Sequence, residues 1–270
     1  MNEMQTLLDV MARLRDPEHG CPWDKQQTFQ SILPHTLEEV FEVADAIDKN
    51  DMSSLREELG DLLFQVVFYT QIAKEVGEFD FADVVAEIND KLIQRHPHVF
   101  SNAEIESVEA QGQAWEKHKE RERQAKAAEQ NRLPSVLDNV PLALPGLMRS
   151  IKLQRRAARL GFDWPNVEPV LAKIEEELAE VREALVEGGD ADKLMHEIGD
   201  LLFSCTNLAR HVNVDPEVAM RGINHRFELR FRRVEELAAQ QSQPLSAMSL
   251  DEMNELWNQA KAEEAAIRES

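Results

Sequence analysis

Cysteine is nearly absent. Cys21 and Cys205 are the only two in 270 residues, and neither stands in a CxxC pair or a metal-ligand spacing, so no disulfide framework is expected and a reducing compartment fits. Basic residues are also few. Thirty Lys and Arg against 51 Asp and Glu leave a net charge of −21, which argues against broad attraction to nucleic acid or to an anionic membrane surface. An anionic small molecule stays open as a ligand if a metal and local cations receive it. Long apolar runs are missing: Leu62-Leu63-Phe64 is typical, far short of the roughly 20 residues that a membrane helix needs. The start, Met1-Asn2-Glu3-Met4, is acidic and carries no apolar signal-peptide segment, so a soluble cytoplasmic protein is expected. Sustained period-two alternation is absent, and no strand is expected. Nor is there a GxxxxGKS/T phosphate loop, a Rossmann glycine pattern or a Ser-His-Asp signature.

What is present is helical periodicity. Leu55, Leu59, Leu62 and Val66, and again Leu194, Ile198, Leu201 and Leu202, follow the spacing of an amphipathic helix. The pattern predicts helices near 4–15, 27–48, 53–76, 81–95 and 104–129, then near 142–160, 167–187, 190–212, 215–239 and 249–267. With 43% hydrophobic residues the chain can bury a sizeable core. The expected fold is all-α.

One pattern of four acids occurs twice. Glu39-Val40-Phe41-Glu42 is followed by Glu58-Leu59-Gly60-Asp61, and about 138 residues on, Glu177-Leu178-Ala179-Glu180 is followed by Glu197-Ile198-Gly199-Asp200. The repeat predicts two tandem helical-bundle domains, 1–125 and 141–270, joined by a linker over 126–140 where a charged helix tail runs into Pro134 and Pro141. On a helix, residues i and i+3 share a face, so each pair points two carboxylates one way. Turn signals, Asp48-Lys49-Asn50-Asp51 in one copy and Gly188-Gly189-Asp190 in the other, fold each set into a hairpin. Glu42 and Glu58 then lie level, each roughly 9–10 Å from the hairpin tip at 1.5 Å rise per residue. Glu39 and Asp61 are level one turn further on.

Such carboxylates repel by roughly 4 kcal/mol per pair for unit charges 4 Å apart at an effective dielectric near 20. A cation removes the conflict, and an all-oxygen donor set favours Mg²⁺, with Mn²⁺ a possible substitute, over zinc. The plainer reading is a solvated acidic helix face, and the duplication argues against it.

The repeat extends further. Asn89, Lys91 and Arg95 correspond to Asn224, Arg226 and Arg230 at a constant offset of 135, and cations at i and i+4 stack on one helix face as phosphate partners or as surface salt bridges. Trp115 and Lys119 match Trp257 and Lys261, and Trp23 matches Trp164. The late tryptophans suit a core or a base-stacking platform equally; Trp23 and Trp164 are expected to pack at the corner entering the acid-bearing helix. Gly60 and Gly199 inside helices suggest close helix approach. His96-Pro97-His98 reads as a structural turn rather than a metal site.

In these motifs the chain resembles the MazG family of nucleoside triphosphate pyrophosphohydrolases in its long, two-domain form. The resemblance spans nearly the whole chain and rests on Gly20-Cys21-Pro22-Trp23-Asp24, Leu37-Glu38-Glu39 with Glu42, Glu58-Leu59-Gly60-Asp61-Leu62-Leu63-Phe64, and Arg95-His96-Pro97-His98-Val99-Phe100. It implies an all-α dimer that converts nucleoside triphosphates to monophosphate and pyrophosphate with Mg²⁺. By motif, Glu177, Glu180, Glu197 and Asp200 would bind metal, with Glu39, Glu42, Glu58 and Asp61 as first-domain counterparts. Lys173, Arg226, Arg230, Trp257 and Lys261 would contact nucleotide, matched by Lys91, Arg95, Trp115 and Lys119. An outer acid, Glu38 or Glu176, could orient the attacking water or accept its proton. The second half lacks the Arg-His-Pro-His-Val-Phe run and has Arg230-Phe231-Arg232-Arg233 instead.

Three other readings compete. A di-iron bundle would need Glu-x-x-His, and none of the eight histidines has Glu three positions before it. A non-catalytic acidic scaffold would show no metal dependence. A narrow pyrophosphatase for a non-standard nucleotide such as dUTP would share the site chemistry.

Overall fold

The computed structural model describes residues 2–101, 107–186, 188 and 190–269. Among them there are helices and no strand. The chain divides into two compact units, Met1–His118 and Lys119–Ser270.

The first unit contains α1 (Glu3–Leu14), α2 (Pro22–Gln26), α3 (Phe29–Asp48), α4 (Met52–Glu75), α5 (Phe81–Arg95), α6 (Pro97–Phe100) and the start of α7 (Val108–Glu129). The α3–α4 hairpin is its centre. Thr28 and Ser31 form a reciprocal capping box that starts α3. The hairpin turns at Asn50, which takes the left-handed conformation (φ 54°), and Asp51 caps α4 by accepting from the backbone N–H of Ser53 and Ser54. Met11, Ile32, Val67, Phe68 and Ile72 form the core where α1 crosses the hairpin. Arg15 ties the corner together: it pairs with Glu75 at 2.7 Å and donates to the carbonyls of Asp24 and Gln27.

The second unit continues with α8 (Gly146–Ala158), α9 (Val167–Val186), α10 (Ala191–His211), α11 (Pro216–Gln240), a 3₁₀ turn at Leu245–Ala247 and α12 (Leu250–Glu269). The α9–α10 hairpin repeats α3–α4. Gly188 turns it with φ +65°, and Asp190 caps α10 through Lys193 N–H; Gly189 of the expected turn lies outside the described residues. Val234, Leu237, Ala238, Leu256 and Ala260 pack α11 against α12. The segment 126–140 is tied into this unit. Ala127 is fully buried, Arg132 pairs with Asp138 at 2.7 Å, and Arg156 donates to the carbonyls of Val136 and Asp138.

Expected and observed helices agree closely, and 81–95 coincides with α5. The expected start of α7 at 104 lies outside the described residues. Two short helices were read as turns, α2 and α6. Each opens with a proline at its first position, where the missing N–H costs nothing.

Gly60 and Gly199 correct the expectation of close helix approach. Among the described residues, a Cβ added at either would meet nothing within 4 Å beyond its own helix and chain neighbours. Both glycines lie on exposed faces beside unpaired apolar side chains: Leu59 and Leu63 in the first unit, Ile198 and Leu202 in the second.

Candidate active site

In the second unit, α9 supplies Glu177 and Glu180 and α10 supplies Glu197 and Asp200. Carboxylate oxygens of Glu177, Glu197 and Asp200 lie within 4.8 Å of one another. In the first unit Glu39, Glu42 and Glu58 do the same. The fourth acid of each set, Glu180 or Asp61, falls outside that close group but still interacts with it. The neighbouring Glu177 carboxyl, burial and the Glu197 charge raise the pKa of Glu180. Burial, then the charges of Asp61 and Glu42, raises Glu39; burial and the charge of Glu42 also raise Glu58. Both clusters are therefore strained in the ionised state, as like charges held together must be.

Glu177 is the deepest of these acids, 5% exposed. Its Oε1 meets Lys173 Nζ at 2.8 Å, while its buried Oε2 has no donor among the described residues. A buried carboxylate oxygen without a partner is costly. Lys173 also meets Glu176 at 2.8 Å, and both acids raise its pKa. In the first unit His35 takes the position of Lys173 and sits 3.8 Å from Glu38. Each outer acid, Glu176 or Glu38, thus faces the side chain one turn before it.

The second cluster opens on a cavity of about 590 Å³. Lys173, Glu177 and Asp200 line it together with Phe162, Trp164, Gln154, Asn207 and Arg210. Trp164 therefore faces a cavity, which corrects the expectation of corner packing. Trp23 in the first unit does pack, edge-on to Phe68 at 6.5 Å and to His35 at 5.9 Å. Asn207, Arg210 and Gln154 were passed over in the sequence. A signal existed for two of them: Asp200, Phe203, Asn207 and Arg210 repeat at helical spacing, so one face of α10 meets the cavity.

The other predicted contacts lie elsewhere. Arg230 donates to Glu264 at 2.6 Å and stacks over Trp257 at 5.6 Å, and Trp257 packs against the α11–α12 core. Neither they nor Arg226 and Lys261 line the cavity. In the first unit, Trp115 donates to the Arg95 carbonyl at 2.9 Å, while Lys91 and Lys119 are half-buried on α5 and α7.

The sequence also has relatives. Residues 27–100 match the model of the MazG nucleotide pyrophosphohydrolase domain. Over 257 residues, 95% of each chain, the protein is 40% identical to the nucleoside triphosphate pyrophosphohydrolase/pyrophosphatase MazG of Thermotoga maritima. The chain belongs to the MazG family. A second similarity is stronger: 49% identity over 268 residues, 98% of this chain and 99% of the other, to the nucleoside triphosphate pyrophosphohydrolase of Escherichia coli K12. Residues 146–227 match a different model, that of phosphoribosyl-ATP pyrophosphohydrolase. The two halves of this MazG-family chain thus carry distinguishable versions of one helical design.

Proposed function

We propose that this chain hydrolyses nucleoside triphosphates to nucleoside monophosphate and pyrophosphate, and that the second unit carries the turnover. The observation that supports this best is the junction of Glu177, Asp200 and Lys173 with a cavity whose volume suits a small ligand.

The donor set fits a divalent cation. Three carboxylates converge, one buried oxygen lacks a donor, and the raised pKa of Glu180 reports uncompensated negative charge. Glu177, Glu180, Glu197 and Asp200 would hold Mg²⁺, or Mn²⁺ in its place; Glu39, Glu42, Glu58 and Asp61 are the equivalent set. Bound there, the metal would neutralise phosphate charge and lower the pKa of water. The chain's own residues do the rest. Lys173 is a cation beside the acids, able to exchange a carboxylate partner for a phosphate oxygen. Glu176, next to Glu177, would orient water and accept its proton as the α–β anhydride bond breaks. Phe162 and Trp164 offer apolar walls for the base. Arg226, Arg230, Trp257 and Lys261 would reach nucleotide only if a second copy brought them to the site.

The first unit supports the assignment by contrast. Phe68 stands where Asn207 stands in the second unit, at the same offset of 139 that relates Glu58 to Glu197. Phe68 is fully buried and packed against Trp23 and Phe64, whereas Asn207 lines open space. The first unit also has an imidazole, His35, where the second has the primary ammonium of Lys173.

The chain is further proposed to act as a cytoplasmic homodimer with no nucleic-acid partner. Exposed Leu59 and Leu63 around Gly60, and Ile198 and Leu202 around Gly199, support self-association, because a bare glycine lets another helix approach. The acidic composition supports the absence of nucleic acid. The test of the reaction is incubation with a panel of NTPs and dNTPs with Mg²⁺ or excess chelator, followed by separation of products. Monophosphate plus pyrophosphate, lost with chelator, is expected. Orthophosphate as the direct product, or full activity in chelator, would overturn the reading.

A further inference from the structure

We infer that Asn207 binds the nucleoside part of the substrate, through amide N–H donors that Arg210 and Asp163 hold in one orientation; this rests on the reading of the second unit given above.

The orientation follows from donor and acceptor chemistry alone. Arg210 can only donate. Its Nε and Nη2 both donate to Asn207 Oδ1, at 3.1 and 2.8 Å, so the oxygen of that amide must face the guanidinium. The guanidinium is itself fixed, since Nη1 donates to Asp163 Oδ2 at 2.8 Å and Nη2 to Asp163 Oδ1, which also faces His211 Nε2 at 3.0 Å. With Oδ1 occupied, Nδ2 of Asn207 is directed away from Arg210 on a half-buried side chain of the cavity wall. The amide cannot flip without bringing its own N–H groups against a cation.

The position of Asn207 selects the part of the substrate it meets. It lies seven residues, two helical turns and about 10 Å, beyond Asp200 on the cavity face of α10. A substrate whose phosphates lie at the acids therefore presents its ribose or base at this level. Both carry acceptors: ribose hydroxyls, ring nitrogens and carbonyl oxygens. A second amide stands at the same turn. Gln154, 8% exposed, donates through Nε2 to the Phe203 carbonyl at 2.9 Å and to Thr206 Oγ1 at 3.3 Å, which leaves its Oε1 without a donor. This part of the wall therefore holds a buried polar atom, Gln154 Oε1, that none of the described residues satisfies. The first unit has buried Phe68 at the matched position and no such donor there.

Asn207→Asp isolates the role. Aspartate keeps the size of the side chain and the acceptor for Arg210, so the Arg210–Asp163 anchor survives, while the N–H donors are lost. In the full-length protein this variant should raise KM and Kd for nucleoside triphosphates about tenfold or more and leave kcat within about twofold. Binding of inorganic tripolyphosphate, which has no nucleoside, should change less than twofold. A drop confined to certain bases would assign the contact to the base, and a uniform drop to the ribose. Equal weakening of tripolyphosphate and nucleotide would mean a general charge effect and would overturn the inference. So would wild-type nucleotide binding in the variant. Should Asn207→Asp fail to fold, Asn207→Ser serves with the same comparison. Nucleotide binding that depends on Asn207 without any hydrolysis would sink the enzymatic reading alone; hydrolysis indifferent to Asn207 would sink this inference alone.

Discussion

Glu177 concentrates the chemistry of the site in one side chain. One of its oxygens is neutralised by Lys173 and the other has no donor, so the ionised cluster carries more negative charge than its surroundings compensate. Replacing a neighbour by its neutral isostere separates catalysis from folding. Glu180→Gln is expected to lower turnover by a hundredfold or more, while the metal-free thermal midpoint stays level or rises, because glutamine resembles the protonated form that the raised pKa already favours. Pyrophosphate release and differential scanning calorimetry check the two halves; wild-type turnover would remove Glu180 from the site. The acids were legible in the sequence because i, i+3 spacing on paired helices has a single geometric meaning. Asn207 was not. A lone amide carries no spacing signal, and its importance depends on Arg210 and Asp163, the latter 44 residues earlier in the chain.

At the scale of elements, hydrophobic period and capping residues fixed nearly every long helix. The failures share one cause, that a proline which ends one helix can begin the next, as Pro97 does between α5 and α6. The glycines misled for another reason: their neighbours cannot be identified from spacing, and among the described residues no other element comes within 4 Å of a Cβ at either. The loop between α8 and α9, which carries Phe162 and Trp164 to the cavity, is held to the end of α10 by Asp163. Hydrogen bonds from Arg210 hold the Asp163 carboxyl below its usual pKa. Its stabilising contribution is thus complete above the ordinary aspartate range, near 3.9, and fades as pH falls through the depressed folded value. Asp163→Asn should cost about 1–2 kcal/mol at neutral pH, since the lost bonds are charge-assisted. The deficit against wild type should shrink as acid is added. Urea titrations at pH 7 and pH 3 test this, and an equal deficit at both would contradict it.

At the scale of the whole molecule, the duplication makes two claims testable. Fragments 1–118 and 119–270 follow the structural division, keeping Ala127 and the Arg132–Asp138 pair with the second unit. Assayed separately with the same nucleotides, the second is expected to retain turnover and the first to show little. A folded first fragment that carries the activity would reverse the assignment. The intact chain should sediment at twice 30.9 kDa, and Leu202→Glu, on the exposed face beside Gly199, should shift it toward monomer. An unaltered sedimentation profile would place the interface elsewhere. Phe68 then has a meaning beyond its own packing. Where the first unit is filled by an aromatic ring, the second keeps a void, and a void forfeits the contacts that resist local opening. In hydrogen–deuterium exchange without ligand, amides of α8 and α10 around the cavity should open more readily than those of α1 and α4. Nucleotide at a hundred times its Kd would supply about 2.7 kcal/mol to the second unit alone. The less stable copy is then the one that responds to ligand, and the well-packed copy gives the chain a half that stays folded whether or not substrate is present.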